Sequence, residues 1–306
     1  MLPGSLVDTS FAVHVDCDNL WIYETEFAVP ISDRQDLIFS QALPDLLDRF
    51  ESWNIKATFF VVGRDLQRES CVAFCKRALS EGHRLANHTF SHRVDFSRLD
   101  EREKLDEIEA GHDAIVAATG TSPVGFRAPG YHVDAATIRS LARLGYQYDS
   151  SVLPGPTGYL IKAYMLARGQ GAKGKSFGSW RSLFATSSAR RLALSADSTL
   201  MQYPVATFPY VRLPIHSTFV YSFGLEYLRR AIGLLERTPG HHVYLLHAID
   251  GLDHPAPEEF AGRLLPLTKS FAQRMKILEE IGLLLSARVV LTEDVADTAL
   301  RSDATF

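Results

Sequence analysis

The chain has 306 residues, 46% hydrophobic and 22% charged, which is enough apolar material for a sizeable core. A net charge of −4 gives no electrostatic reason to expect a nucleic acid or a strongly anionic membrane surface as a partner. Residues 1–6 lack the features of a secretory signal, and no apolar run could form a transmembrane segment. The three cysteines cannot all pair, so we expect a cytoplasmic protein in a reducing compartment.

Apolar runs and helical periodicities alternate along the first half of the chain. Strands are predicted over 11–16, 57–62, 85–86, 124–127 and 147–150, and helices over 37–53, 66–80, 99–119 and 135–144. The continuous apolar run 57–62 indicates a strand that is buried on both faces. The repeated strand–helix order predicts an α/β fold with a mainly parallel sheet and helices outside it.

Residues 153–214 break this rhythm, because prolines, glycines and small polar residues are frequent there. We interpret this stretch as an insertion that borders the active site within a single domain of residues 1–306. Its large apolar residues could line a lipid-facing or sugar-binding wall, or could form the insertion's own core; they are Tyr159, Tyr164, Met165, Phe177, Trp180 and Leu183. Helices over 222–236 and 258–281 and strands over 242–246 and 289–291 are predicted beyond it.

Carboxylates and histidines collect at the ends of these predicted strands. Asp16 and Asp18 follow the first strand, and His88 and His92 are spaced so that one helical turn could present both imidazoles on one side. Two histidines and one carboxylate suit a divalent metal with open positions, and a second carboxylate is then free to act as a base. Spacing alone also fits ordinary histidines and aspartates that cap a turn.

Arg127 and His247 also lie at predicted strand ends. Taken singly, they could be a surface arginine and a core histidine. The interpretation depends on the conjunction, because strand ends are where a barrel or an open α/β sheet builds its site.

In their order along the chain, these motifs resemble those of the polysaccharide deacetylases of the NodB-homology type. Residues 16–18 match the family's paired aspartates, and residues 57–63 match a characteristic strand. Residues 88–92 give His-Thr-x-x-His, residues 127–129 give Arg-x-Pro, and residues 245–247 give Leu-x-His. The resemblance implies a distorted or incomplete (β/α) barrel of about seven parallel strands, with the site at its C-terminal mouth.

The family pattern also implies a role for each motif residue. Asp18, His88 and His92 would hold a divalent metal, zinc in the first place, with Co²⁺, Ni²⁺ or iron as alternatives. This metal would bind a water and the acyl oxygen of the substrate. Asp16 would act as general base on that water, and Arg127 would pair with Asp16.

His247 would be the general acid that protonates the leaving amine. The family often orients this histidine through an Asp-Trp pair, which residues 148–152 lack. Asp149 could be that partner, or Asp250 could replace it.

Residues next to the motifs are expected to contact the substrate. A backbone N–H that follows Pro129, on Gly130 or Tyr131, would bind the oxyanion. Gly130 departs from the family pattern, because it separates the aromatic residue from the Arg-x-Pro motif. Tyr131 and Trp21 could stack on a sugar face or could belong to the core.

The expected function is metal-dependent removal of an N-acetyl or N-formyl group from an amino sugar in a glycan, glycolipid or glycoside precursor. The expected partner is a small-molecule or carrier-linked N-acyl sugar, and a lipid-linked one would bring peripheral contact with a membrane. Two alternatives are an allantoinase-like hydrolase of a small amide and a non-catalytic binding module. The sequence gives no oligomeric state.

Overall fold

The structure is a computed structural model that describes residues 9–27, 36–93, 95–156, 180–195, 198–253 and 269–301. These residues form one eight-stranded sheet in the order β6-β7-β5-β4-β3-β2-β1-β8. The strands are β1 (Ser10–Asp16), β2 (Ala57–Val61), β3 (Arg84–Asn87), β4 (Gly125–Phe126), β5 (Tyr148–Asp149), β6 (Arg190–Ser195), β7 (Ser198–Gln202) and β8 (His241–His247). Every neighbouring pair is parallel except β6 with β7.

The sheet curls into a half-barrel, as the sequence predicted. The chain after β7 reaches β8 at the other end of the sheet, through parallel bridges from Val205 to Val243 and from His216 to Leu245. The parallel strands all deliver their carboxyl ends to one rim, where the motif residues lie.

The helices are α1 (Leu20–Phe27), α2 (Leu43–Ser52), α3 (Glu69–Ser80), α4 (Glu101–Thr119), α5 (Ala135–Arg143), α6 (Ser217–Phe223), α7 (Leu225–Leu235), α8 (Phe271–Leu285) and α9 (Thr292–Arg301). A π-helical turn, Ile38–Ala42, runs into α2. Asp100 and Glu103 form a reciprocal cap at the start of α4, and Gly120 ends it with a φ of 73°. No helix in the described ranges is long and apolar enough to cross a membrane.

Strand β1 shows how the sheet separates two environments. Val13 and Val15 pack in the large apolar cluster formed with the surrounding helices, whereas Ala12 packs in a smaller cluster on the inner side of the sheet. Side chains alternate along a strand, so His14 and Asp16 also point to the inner side. The interior of the half-barrel is therefore partly polar near its carboxyl rim.

Part of the stretch predicted as an insertion continues the sheet. Strands β6 and β7 lie within residues 153–214, and β7 pairs in parallel with β5. Their short polar sequences carry a weak strand signal. The large apolar residues that could line a wall or form the insertion's own core fall largely in 157–179, outside the described residues. The prediction of a single domain stays a prediction.

The C-terminal third differs from the prediction in three places. The predicted helix over 222–236 is two helices, because Gly224 breaks it with a φ of 83°. The described part of the helix predicted over 258–281 begins at Phe271, after the capping residue Ser270. The predicted strand 289–291 is only a bridge between Phe11 and Val289, and the unpredicted helix α9 follows it directly.

Candidate metal and hydrolytic site

Two aspartates leave strand β1 at the rim of the half-barrel. Asp16 is the last residue of β1 and is 3% exposed, and Asp18 follows it and is 9% exposed. Cys17 lies between them and packs in the helix-side core, where burial raises the pKa of its thiol well above the usual value. Strand alternation thus separates the carboxylates from the thiol.

The two motif histidines lie on an irregular loop, and the prediction that a helical turn presents them is wrong. Thr89 and His92 have φ values of 66° and 46°, which no helix allows. The loop is held from outside: Gly63 N–H donates to Thr89 O at 2.9 Å, and Ser91 N–H donates to the Glu107 carboxylate at 2.9 Å. These anchors fix a backbone that the motif alone could not specify.

Two glycines allow this loop to pack closely on its neighbours. A Cβ at Gly63 would lie 2.9 Å from the Phe90 ring and 3.0 Å from Gly111 Cα. A Cβ at Gly111, in helix α4, would clash with the Asn87 side chain and would lie 2.9 Å from the Thr89 carbonyl carbon. The contact at Gly111 cannot give way without moving the backbone at Thr89, which lies between the two histidines, and the contact at Gly63 would displace the Phe90 ring and helix α4.

Asp18, His88 and His92 bring three potential metal ligands to one point. One ligand atom from each residue lies within 4.8 Å of the other two. Asp18 Oδ1 is 3.5 Å from the Nε2 atoms of both histidines. Ligand atoms that share one ion at about 2.0–2.2 Å are separated by roughly 3–3.5 Å. The spacing therefore fits a small divalent cation.

The bonding of the same three residues also fits a cation. Asp18 Oδ1 is buried and has no hydrogen-bond partner within the described part of the chain. His88 Nδ1 lies 2.7 Å from the carbonyl oxygen of Arg127 and must donate to it, so the Nε2 atom of the neutral ring carries the lone pair. Burial lowers the pKa of His92 to about 4, which keeps its imidazole neutral near pH 7.

The charges around the set also favour ligation. Burial opposes ionisation of Asp18, but the imidazoles of His92 and His88 outweigh it and hold the carboxyl pKa well below its usual value. Burial also opposes protonation of His88, but Asp16 and Asp18 raise its pKa. A divalent cation would take the place of the proton that these groups attract.

Arg127 is fully buried and connects Asp16 to the interior. Its Nη1 donates to Asp16 Oδ1 at 2.5 Å, and its Nε donates to the Ser150 carbonyl oxygen at 2.9 Å. Nη2 lies 2.8 Å from His14 Nδ1, and the guanidinium carbon stands 4.2 Å above the Phe60 ring. Every edge of the guanidinium is therefore engaged, and its position is fixed.

His247 ends strand β8 at the same rim and is half-buried. Its side chain accepts a hydrogen bond from the Asp250 backbone N–H, and its own backbone N–H donates to Asp250 Oδ2 at 2.9 Å. Asp250 thus fixes the turn that follows β8. The ring centroid of His216 lies 6.0 Å from that of His247.

Asp149, predicted as a substrate contact and as a possible partner of His247, is bound elsewhere. It is fully buried, accepts from Gln202 Nε2 at 2.7 Å, and is hydrogen-bonded to the Ser151 hydroxyl. Ser151 Oγ in turn accepts from the Ala128 N–H at 2.8 Å. The carboxylate therefore supports the Arg-x-Pro loop from the interior, and its hydrogen bonds in the described residues do not include one to His247.

The Arg-x-Pro loop continues through Pro129, which is buried, into two residues with positive φ. These are Gly130 (64°) and Tyr131 (58°). The N–H of Tyr131 donates to Ala128 O at 3.2 Å, so Gly130 is the better placed of the two predicted oxyanion donors. The Tyr131 ring packs against the small cluster that contains Leu153. This packing favours a core role for the ring.

Trp21, in helix α1, is half-buried near Asp18. Its Nε1 donates to Asp65 at 2.9 Å, and the Arg64 guanidinium stands 4.6 Å over its ring. One face of the indole is therefore occupied, which limits sugar stacking to the other face.

Two histidines near the site were not singled out from the sequence. His14 lies two positions before Asp16 on the same face of β1, and strand alternation could have indicated it. His216 precedes helix α6 in a segment without a motif, and only the fold brings it to His247.

Comparison with known proteins shows which family this chain resembles. Residues 33–148 match the polysaccharide deacetylase family model, a range that contains His88, His92 and Arg127. A peptidoglycan-N-acetylglucosamine deacetylase from Bacillus cereus is 31% identical over 106 residues, which cover 35% of this chain and 36% of that protein. The chain spans 32–55% of the lengths of three curated relatives.

Solved structures share the fold over nearly the whole chain. A structure from Mycobacterium smegmatis assigned to the polysaccharide deacetylases has a TM-score of 0.65 at 19% identity and covers 99% of this chain and 95% of its own. An allantoinase has a TM-score of 0.60 at 14% identity, with 96% and 91% covered. The chain is thus an α/β protein with the fold of this group. Its resemblance to the NodB-homology polysaccharide deacetylases is confirmed.

Proposed function

We propose that this protein is a metal-dependent N-deacylase that removes an acetyl or formyl group from an amino sugar, free or linked to a carrier. The observation that carries this proposal is the position of Asp18, His88 and His92 beside the buried pair of Asp16 and Arg127. A ligand set with an adjacent, separately anchored carboxylate is what amide hydrolysis at a metal needs.

The metal, which we propose to be zinc, would polarise the acyl carbonyl and make a water more acidic. Arg127 engages Asp16 Oδ1, so the other carboxylate oxygen of Asp16 is available to accept the water's proton. The N–H of Gly130 would stabilise the oxyanion. His247 would protonate the leaving nitrogen, because an unprotonated amine leaves poorly.

A series of ring contacts that begins at His247 supports a sugar substrate. The His216 ring lies 5.0 Å from Phe219, and Phe219 lies 5.8 Å from Phe223. Phe223 lies 5.4 Å from Tyr227 and is 57% exposed. Aromatic faces pack well on the apolar faces of sugar rings. This aromatic series would hold the sugar or its carrier beside the acid.

The test combines metal content with acyl release from a panel of nucleotide-linked, lipid-linked and free N-acyl amino sugars, measured as acetate and formate. We expect one metal per chain and release from at least one sugar, with both lost in His88→Ala. One metal per chain without release from any sugar would contradict the substrate class. Hydrolysis of cyclic ureides in a parallel panel would then indicate the allantoinase-like alternative.

A further inference from the structure

A series of buried hydrogen bonds connects Asp16 to the C-terminal helix α9 through the interior of the half-barrel. Arg127 contacts Asp16 through Nη1 and His14 Nδ1 through Nη2, at 2.5 and 2.8 Å. His14 Nε2 lies 2.8 Å from the hydroxyl oxygen of Thr292, the first residue of α9. His14, Arg127 and Thr292 are fully buried.

The direction of these bonds follows from chemistry. A guanidinium can only donate, so His14 Nδ1 must accept from Arg127. Burial, followed by the charge of Arg127, holds the pKa of His14 well below its usual value, so the ring is neutral. The single ring proton is therefore on Nε2, and it is donated to the Thr292 hydroxyl oxygen. The other tautomer would point an N–H at another N–H.

The position of Thr292 is fixed independently of this series. Its neighbour Glu293 accepts hydrogen bonds from Thr58 at 2.9 Å and from the Tyr148 hydroxyl at 2.6 Å, both inside the half-barrel. The Thr292 hydroxyl oxygen also lies 3.0 Å from His241 Nε2. The start of α9 is thus held in place by three strands that do not carry His14, namely β2, β5 and β8.

We propose that His14 and Thr292 are positioning residues for the hydrolytic reaction. Arg127 requires a bare Nδ1 on His14, and Thr292 accepts the Nε2–H of that tautomer and so fixes the position of the ring. The ring in turn keeps Arg127 in the orientation that presents Asp16 to the reactants. In the described part of the chain, the side-chain hydrogen bonds of His14 and Thr292 go to residues other than Asp18, His88 and His92. The inference rests on the proposed function, because it takes Asp16 to be the base.

The first pair of variants is Thr292→Val, which removes the hydroxyl at nearly constant volume, and Thr292→Ser, which restores it. The matched control is Thr298→Val, because Thr298 is an exposed residue of the same helix whose hydroxyl bonds only within the helix, to Asp294 O. In Thr292→Val we expect kcat to fall about tenfold or more, the usual effect of removing an orienting partner. KM and metal content should not change, and Thr292→Ser should recover most of kcat.

A second measurement reads the tautomer directly. Long-range ¹⁵N–¹H spectra of histidine-labelled protein should show His14 with Nε2 protonated and Nδ1 bare. In Thr292→Val this tautomer should remain, because Arg127 still donates to Nδ1, but the Nε2–H signal should shift because the N–H loses its acceptor. The His14 signals are assigned with His14→Asn, whose amide oxygen can still accept from Arg127. This variant should keep more kcat than His14→Leu.

Two results would overturn the inference: an unchanged His14 Nε2–H signal together with an unchanged kcat in Thr292→Val, or an equal loss of kcat in the Thr298→Val control. The proposed function fails in a different way, namely when the unaltered protein releases no acyl group from any amide. The ring signals would still report whether Thr292 accepts the Nε2–H of His14.

Discussion

Asp16 and His247 are direct partners in the parallel pairing of β1 with β8. Neighbouring strands lie about 4.8 Å apart, so both side chains reach the rim from the same level of the sheet. The distance between the proposed base and the proposed acid is therefore set by the backbone hydrogen bonds that join two strands, and not by the conformation of loops. Arg127 reaches Asp16 from the position directly after strand β4, and His216 adjoins His247.

This arrangement predicts that Asp16→Asn separates metal binding from turnover. The amide keeps the shape of the carboxylate but cannot accept the proton of the water, so kcat should fall by roughly 10²–10⁴. Metal content, measured by elemental analysis of the purified protein, should stay at the unaltered value. Loss of the metal in this variant would assign Asp16 to the ligands instead, with Asp18→Asn as the comparison expected to lose it.

His247→Ala should slow amides more than activated esters. An amine leaves poorly without a proton, whereas a nitrophenolate needs none, so the ratio of ester to amide kcat/KM should rise at least tenfold. Metal content should not change. His112→Ala, in helix α4 and outside the site, is the control and should leave the ratio unaltered. Equal slowing of both substrates would contradict the acid role.

The sequence predicted the parts of the site that are carried by short linear motifs. Asp16 and His247 end predicted strands and Asp18 follows the first of them, so their meeting at one rim followed from the expected parallel sheet. The bond between His14 and Thr292 spans 278 positions, and no local pattern encodes it. Helix α9 was not predicted for a related reason. Its first residues, Thr292 and Glu293, are polar and are buried only because they contact the interior of the half-barrel, which no local sequence pattern shows.

The shape of the histidine loop was also beyond local prediction. A spacing of four suggested a helical turn, but Thr89 and His92 take positive φ because anchors on other elements hold the loop. Glu107, in helix α4, supplies two of these anchors by bonding the Ser91 N–H and hydroxyl. The ligand types could be predicted from the sequence, whereas the backbone that orients them required the tertiary structure.

The close approach at Gly111 predicts a metal-affinity defect from a helix substitution. In Gly111→Ala the new methyl group must displace the Asn87 side chain and the backbone at Thr89, which should cost about 1–3 kcal/mol of stability. We expect metal affinity to fall about 10–100-fold, as when ligand orientation is disturbed. Gly233→Ala is the matched control, because Gly233 lies in helix α7 with open space around it. Its metal affinity should not change, and equal affinity in both variants would refute the packing argument.

Stability should fall on mild acidification because of buried histidines. Burial, with Lys56 as a smaller cause, lowers the pKa of His83 to about 4, and its Nδ1 accepts from the Ala57 N–H at 3.0 Å. The folded state therefore binds this proton less readily than the unfolded chain, whose histidine pKa is about 6.5. Its stabilising contribution is present above pH 6.5 and is lost as the pH falls toward 4.

His83→Asn keeps an acceptor for the Ala57 N–H but does not titrate. Urea unfolding at several pH values between 7 and 4 should therefore show a shallower loss of stability in this variant. His112→Asn, a half-buried histidine of helix α4, serves as the control. An identical pH dependence in His83→Asn and the unaltered protein would show that His83 titrates normally.

The aromatic series beside His247 predicts a defect that depends on substrate size. Phe223→Ala removes an exposed ring that lies beyond His216 and Phe219 from the acid, so it should weaken contacts to the sugar or carrier without disturbing the reacting groups. The loss of one stacking contact, about 1 kcal/mol, corresponds to a KM roughly fivefold higher. This increase should appear for carrier-linked sugars and not for the free monosaccharide, with kcat unchanged for both. Leu283→Ala, an exposed apolar residue of helix α8, is the control. An equal KM for the long substrate in the two variants would show that this face does not bind it.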